Sequence, residues 1–495
     1  MVASRQVFKR VTTRWSRLNS TLIEVQPGKS RAARAVIALS ASSFLSQGIL
    51  IAVMPLLSRL FSPAELGVYT VATSLVGLFA TTIALHFELA IPLARRDSEI
   101  PYIVSLALLA VGSQTMIFCA FMALSDVDLW RTLTGLPEST KGLWIPALLA
   151  LTGLTTVLSM VSIRFGRHYT NAAARLSQST VQSLAQLGSG ALGYSWHGLI
   201  IGQILGLVAN ASLFLRSSMS VFRRARGKRV MVFAKKYKAF PLHSVPSSLV
   251  NALSNHLPVL VIARFFGLEA AGLYGVCLRA VLGPSRILSH SFSQVFLGEA
   301  SDGRRGEELA QITMRNLRAL LSLTFAIFLP FSFVAAEAFA LVFGEDWRKA
   351  GEYCLLIMPW IILGFVSTPL SMLVTITGQQ KTELKLQMVY FAVVCAALAL
   401  GVGQRDILLA LGGLGVFGGL YLLAKLFWLA GLAEVSALGL GLLLLKEYAL
   451  GMAFCAPIMV VSLIHASEVL GLLTAVVSSL LLNAYNWRLR KAYAL

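Results

Sequence analysis

An all-α membrane protein with many spans is predicted by three observations. Hydrophobic residues make up 57% of the 495, charged residues only 13%, and mean hydropathy is +0.75, whereas a soluble domain carries about 25% charged residues. Apolar runs of about 20 residues, the length that crosses a bilayer as a helix, recur from end to end. Lys and Arg alternate between rich and poor in successive loops. The short alternating segments of a β-barrel are absent, and the chain is too apolar to be disordered.

In chain order, residues 1–34 are polar and basic. The apolar run that follows is too long for a cleavable signal and lacks a small-residue cleavage site. The segment is therefore expected to be a cytoplasmic tail. Arg5, Lys9, Arg10, Arg14 and Arg17, with Phe8 and Trp15 among them, suit either an amphipathic helix on anionic lipid or a solvated tail. About fourteen spans are then expected, at 35–57, 67–91, 101–124, 143–163, 178–195, 198–216, 243–263, 271–297, 317–340, 353–376, 386–403, 407–431, 447–466 and 468–486. The fifth is polar and the twelfth Gly-rich, so these two carry the weakest signal. The Gly412–Gly419 run permits close helix contact or a bend.

With Arg216, Arg286 and Arg318 counted to the basic loops they flank, 33 of the 42 Lys and Arg fall on the face shared with the N-terminus and 7 on the other, and Arg279 and Lys425 lie inside spans. The bias predicts cytoplasmic termini. It also explains the net charge of +20 as topological, which removes nucleic acid as a partner. The longest basic loop, Arg216–Lys238, divides six spans from eight. The expected organisation is a tail (1–34), a first lobe (35–217), a basic linker (218–242), a second lobe (243–432), and an appended helix pair with a C-terminal tail (433–495).

An internal echo supports two copies in parallel orientation. Arg59-Leu60-Phe61-Ser62-Pro63-Ala64-Glu65-Leu66-Gly67-Val68-Tyr69 recurs 205 residues later as Arg264-Phe265-Phe266-Gly267-Leu268-Glu269-Ala270-Ala271-Gly272-Leu273-Tyr274. Ser42/Ser247, Ser43/Ser248 and Val71/Val276 keep the register. Trp130-Arg131 and Trp347-Arg348 give a weaker echo, for which anchoring at the membrane–water interface is the ordinary explanation. The five cysteines all lie in apolar runs. They read as small buried side chains rather than disulfide partners or metal ligands.

Ionisable groups inside a bilayer are costly and usually face a cavity or a partner. Arg279 lies in mid-span and Lys425 deep in its span, with no acidic residue at mid-span, so a path for an anionic substrate is expected around them. Arg suits phosphate because its planar fork grips two oxygens. Lys425 has a stem long enough to snorkel instead. His256 and Asn255 lie inside the seventh span, and Gln47 belongs to a polar face with Ser42, Ser43 and Ser46. These faces suit either a polar cavity or small-residue packing. Arg59 and Arg264, at external helix ends, are candidate gate residues. His86 and Glu88 end the second span, where Glu88, near Arg95 and Arg96, suits a structural interface pair more than the alternative, a proton site. No catalytic or metal-ligating residue and no cofactor is expected.

The run Pro55–Tyr69, the segment His86-Phe87-Glu88-Leu89-Ala90-Ile91-Pro92-Leu93 and the turn Thr377-Gly378-Gln379-Gln380-Lys381 resemble bacterial polysaccharide-lipid (O-antigen) flippases of the multidrug/oligosaccharidyl-lipid/polysaccharide exporter superfamily. The resemblance covers about residues 35–430. It implies a two-lobed inner-membrane carrier that flips undecaprenyl-pyrophosphate-linked oligosaccharide from the cytoplasmic to the periplasmic leaflet by alternating access. O-antigen, exopolysaccharide or capsule would be the product served, with membrane lipids around it and polysaccharide polymerase or chain-length machinery as partners. In that family the position of His86 is commonly Arg, so the charge here becomes pH-dependent.

Two other functions compete. A cation-coupled multidrug exporter of the same superfamily would want an acidic residue inside the first lobe, where only Glu88 is on offer. An enzyme would want catalytic groups in a substantial external loop. The longest one, about Ser125–Gly142, is short, so the chain is not expected to be an enzyme.

Overall fold

The computed structural model describes residues 31–137, 142–222, 230–300, 306–463 and 468–493, and these are helical with no strand. Residues 1–30 of the basic tail lie outside the described residues, as do 223–229 of the linker and Arg304 and Arg305, while 31–34 already belong to the first helix. The helices are α1 (Arg31–Leu60), α2 (Pro63–Ala80), α3 (Ile100–Leu124), α4 (Val127–Thr134), α5 (Trp144–Arg164), α6 (His168–Ala191) and α7 (Trp196–Phe222). After them come α8 (Val230–Tyr237), α9 (Ala239–Phe266), α10 (Leu268–Ala300), α11 (Glu307–Phe333), α12 (Ala335–Phe343) and α13 (Arg348–Leu370). The last are α14 (Met372–Thr377), α15 (Gln380–Gln404), α16 (Ile407–Leu432), α17 (Ala437–Leu463) and α18 (Glu468–Tyr493). Among the described residues, 11 helices are long and apolar enough to cross a membrane. Helices α6 and α10 are as long but more polar, and α18 carries a shorter apolar stretch, Leu470–Asn486.

The start of α2 shows why the repeated signature is built as it is. Ser62 caps the helix, its hydroxyl receiving the Glu65 N–H, while the Glu65 carboxylate receives the Ser62 N–H at 2.9 Å. Pro63 occupies the first turn, where its missing N–H costs nothing. The second copy puts Gly267 at the place of Ser62. Its φ of +95° lies where glycine is favoured, and it turns the chain from α9 into α10.

The two copies meet. A Cβ on Gly67 would lie 1.9 Å from the carbonyl oxygen of Leu268, and one on Gly272 would lie 1.9 Å from that of Pro63. Pro63 and Leu268 are themselves counterparts at the 205-residue spacing, so the contact is reciprocal, as expected of two copies related by an axis between α2 and α10. Chance similarity of apolar sequence does not produce this.

Three expectations are corrected. The second span does not run helically to residue 91. Helix α2 stops at Ala80, the hydroxyls of Thr81 and Thr82 bond back to the carbonyls of Leu78 and Phe79, and Leu85 and His86 take positive φ values of 51° and 59°. The polar fifth span starts earlier, at His168. It is polar because its amides pair inside the protein: Asn210 of α7 donates to Gln178 at 2.7 Å, and Gln186 donates to the carbonyl of Leu199 at 2.8 Å. Trp130 and Trp347 are not interfacial anchors, for they are 0% and 1% exposed. The Gly412–Gly419 run makes close contact: a Cβ on Gly415 would lie 1.9 Å from the Leu356 carbonyl oxygen of α13. The cysteines are free, with Cys277, Cys354 and Cys455 buried and Cys119 and Cys395 half-buried.

Candidate functional site

Arg279 projects from α10 onto α2, between the two halves of the chain. Its guanidinium donates to the Thr73 hydroxyl at 3.2 Å, and its Cζ stands 4.7 Å from the centre of the Tyr69 ring. The ring face attracts the cation. Gln182 of α6 donates to the Tyr69 hydroxyl at 3.2 Å, which fixes the ring. All of these partners are neutral. A guanidinium carries five N–H donors, and its one hydrogen bond among the described residues engages Thr73. The remaining donors suit an anionic group with several oxygens.

Lys425, a candidate for the substrate path, is an ion-pair partner. Its ammonium lies 2.6 Å from the Glu383 carboxylate of α15, and the two side chains are 11% and 28% exposed. The pair links α15 to α16, with Lys425 reaching toward the end of α15 where Glu383 sits, as its long stem allows. Sequence reasoning placed Glu383 in a loop, outside the eleventh span, and so missed it.

His256 wedges between α9 and α2: a Cβ on Gly77 would lie 2.4 Å from its ring. Asn255 is exposed and donates to the carbonyl and side-chain oxygens of Asn251, one turn back. Gln47 is exposed on α1, while Ser42 and Ser46 are buried. The polar face of α1 thus divides between packing and an open side. Ser43 accepts from Arg175 of α6 at 2.9 Å.

Arg59 and Arg264 end α1 and α9 and are exposed. Cations at helix C-termini are favoured by the helix dipole. Backbone and tryptophan, not the arginines, close this end of the bundle. Trp347 Nε1 donates to the Ser58 carbonyl at 3.0 Å, and the Ser58 hydroxyl donates to the Phe343 carbonyl at 2.9 Å. Both carbonyls belong to last turns of helices, where no intrahelical donor exists, so the ends of α1 and α12 cap one another. On the other side, Gly135 after α4 lies against Ala263 and Arg264 of α9, where a Cβ would meet backbone at 2.8 Å.

At the opposite end, Glu88 pairs with His86, not with Arg95 or Arg96. His86 Nδ1 lies 3.1 Å from the Glu88 carboxylate, and Nε2 lies 2.8 Å from the Ser248 hydroxyl of α9. At this same end, helix α8 docks on the first half. Glu99 accepts from Lys236 at 2.7 Å and from the Tyr237 hydroxyl at 2.6 Å, and Phe233 stacks on Tyr102 at 4.9 Å.

Among solved structures, the chain is similar to the lipid II flippase MurJ in an inward closed conformation, with a TM-score of 0.69 and 13% identity over 91% of this chain and 99% of that one. It is also similar to an inward-facing multidrug resistance MATE family transporter of the MOP superfamily, with a TM-score of 0.53 and 12% identity over 85% and 100% of the two chains. A MOP superfamily transporter from Pyrococcus furiosus gives a TM-score of 0.51 and 12% identity over 84% and 98%. These likenesses establish the fold. No curated protein sequence matches the chain. The family model described as polysaccharide biosynthesis protein matches residues 56–352, more than half of the chain, and the chain belongs to that family.

Proposed function

We propose that the protein is a flippase that carries undecaprenyl-pyrophosphate-linked oligosaccharide from the cytoplasmic to the periplasmic leaflet of a bacterial inner membrane, for surface polysaccharide synthesis. The observation that carries this reading is Arg279: a cation between the two halves, held by a ring face and a hydroxyl. A pyrophosphate supplies the charge that Tyr69 and Thr73 do not. The halves, 35–217 and 243–432, rock about the α2–α10 contact, and 433–495 stays appended to the second. The 33-to-7 bias of basic residues puts both termini in the cytoplasm, so the Gly67/Gly272 end faces the periplasm and the His86 end the cytoplasm. The carrier works beside the polymerase and chain-length machinery that would consume its product.

In a host lacking its own flippase, Arg279→Ala is expected to abolish surface-polysaccharide complementation at normal expression. Arg279→Lys restores part of it if charge alone matters and little if the fork matters. Full complementation by Arg279→Ala sinks the assignment of Arg279 to the substrate path. The multidrug-exporter reading draws on one observation, the buried Glu88. It predicts drug resistance conferred on a sensitive host and lost in Glu88→Gln.

A further inference from the structure

The contact between His86, Glu88 and Ser248 has features that packing alone does not explain. His86 and Glu88 are 9% and 6% exposed, and one carboxylate oxygen of Glu88, Oε2, is buried with no hydrogen-bond donor among the described residues. A buried ionised oxygen without a donor is costly. Leu85 and His86 both hold positive φ, a conformation that bulky residues rarely adopt and that concentrates at functional sites. The strained turn aims the imidazole so that one nitrogen meets a carboxylate of its own half and the other meets Ser248 of the opposite half.

We infer that His86 and Glu88 form a proton-binding site that is complete only while Ser248 holds the two halves together, so that proton binding and this contact strengthen one another. Without the proton, the pair is a carboxylate beside a neutral imidazole, with net charge −1 in a buried place. One proton from water brings it to zero, as imidazolium with carboxylate or imidazole with carboxyl. Separation from Ser248 admits water, which solvates the lone carboxylate and removes its penalty. The proton-free pair therefore favours separation and the protonated pair favours contact. Linkage makes the coupling reciprocal.

The turn Phe87–Leu89 packs on α3, α5 and α9 and on the single helical turn Ala90–Leu93, which has no ionisable group. The ionisable side chains on the three helices are Tyr102 and Cys119, Arg164, and His243, His256 and Arg264. Arg164 is bound to Asp97 and to the Pro92 carbonyl, Tyr102 is stacked on Phe233, and His256 lies on Gly77. Among the described residues, the Glu88 carboxylate bonds to His86, and the side chain of His243 lies outside them.

The test is hydrogen–deuterium exchange on the full chain in nanodiscs, corrected for the intrinsic pH dependence of exchange. In wild type, exchange of the peptides covering 81–93 and 243–254 is expected to rise with pH, by up to about ten-fold per unit for one coupled proton. Glu88→Gln, which keeps an acceptor for Nδ1–H, should remove the dependence. His86→Asn, in which Asn tolerates positive φ, leaves the Glu88 carboxylate without its imidazole and should change the dependence from that of the wild type without removing it. A wild type with pH-independent exchange, or variants that keep the wild-type dependence, overturns the inference. A second arm rests on the flippase reading: a pH gradient across proteoliposomes should alter wild-type flipping of a short-chain polyprenyl-pyrophosphate oligosaccharide, but not that of Glu88→Gln. Wild-type flipping indifferent to the gradient overturns the coupling. Absence of flipping alongside the expected exchange result supports the proton site and counts against the flippase reading alone.

Discussion

Gly272 lies against Gly67, its counterpart 205 residues earlier, so closely that a Cβ on it would stand 2.9 Å from the Gly67 nitrogen and 1.9 Å from the Pro63 carbonyl oxygen. The obstruction is backbone, which cannot swing aside as a side chain can. Gly272→Val is therefore expected to force α2 and α10 apart at a cost of at least about 1–3 kcal/mol, seen as a lower thermal midpoint and lost complementation. Gly188→Ala is the matched control. Gly188 sits inside α6, and a Cβ on it would meet nothing within 4 Å, so the change should be neutral or stabilise by up to about 1 kcal/mol. Equal effects of the two substitutions would show that the close approach is not what matters.

Trp347 caps the end of α1 through the Ser58 carbonyl. In Trp347→Phe the ring remains but the donor is lost, leaving a buried acceptor unpaired at a cost of about 1–3 kcal/mol. Ser58→Ala breaks the companion bond to Phe343. The two bonds share one residue, so the double variant is expected to lose less than the sum of the singles. Additive thermal shifts would mean that the caps act independently.

Much of this was legible in the sequence, and the rest was hidden for physical reasons. Hydropathy and the basic bias gave the helical membrane class, and the 205-residue echo gave the pairing of α2 with α10. The end of α2 at Ala80 was not legible, because residues 81–91 stay apolar and contain no Gly or Pro; Thr81 and Thr82 end the helix through hydroxyl bonds that leave no mark in hydropathy. Trp130 and Trp347 look alike whether they anchor in lipid or cap a helix, and only burial separates the two. The neutral cradle of Arg279 joins Tyr69, Thr73 and Gln182 from two helices far away in sequence. The cation was visible, but its setting was not.

Helix α8 is held by Glu99, and the hold should persist far into alkali. Burial and the hydrogen bond to Glu99 push the Tyr237 hydroxyl well above the usual tyrosine range. A group whose value is raised on folding contributes its stability in full below the unfolded value, near 10, and loses it only as pH climbs through the raised one. Limited proteolysis between α7 and α9 is accordingly expected to be unchanged from neutral pH to about pH 10. Glu99→Gln, which weakens both bonds, should speed cleavage several-fold at neutral pH. Cleavage that accelerates in the wild type below pH 9 would show that the tyrosine is not the clasp.

Lys425 and Glu383 give the sharpest contrast between a structural and a transport role. A buried ion pair broken from one side leaves an uncompensated charge, whereas removing both partners is often nearly neutral. Lys425→Met should therefore destabilise the protein substantially, though by less than the roughly 3–5 kcal/mol of a fully buried pair, because Glu383 is 28% exposed. The double variant Lys425→Met/Glu383→Met should recover most of that loss in thermal midpoint. Complementation decides the role. If the ammonium serves only to hold α15 to α16, the double variant restores surface polysaccharide along with stability. A double variant that is stable yet inactive would return Lys425 to the substrate path beside Arg279.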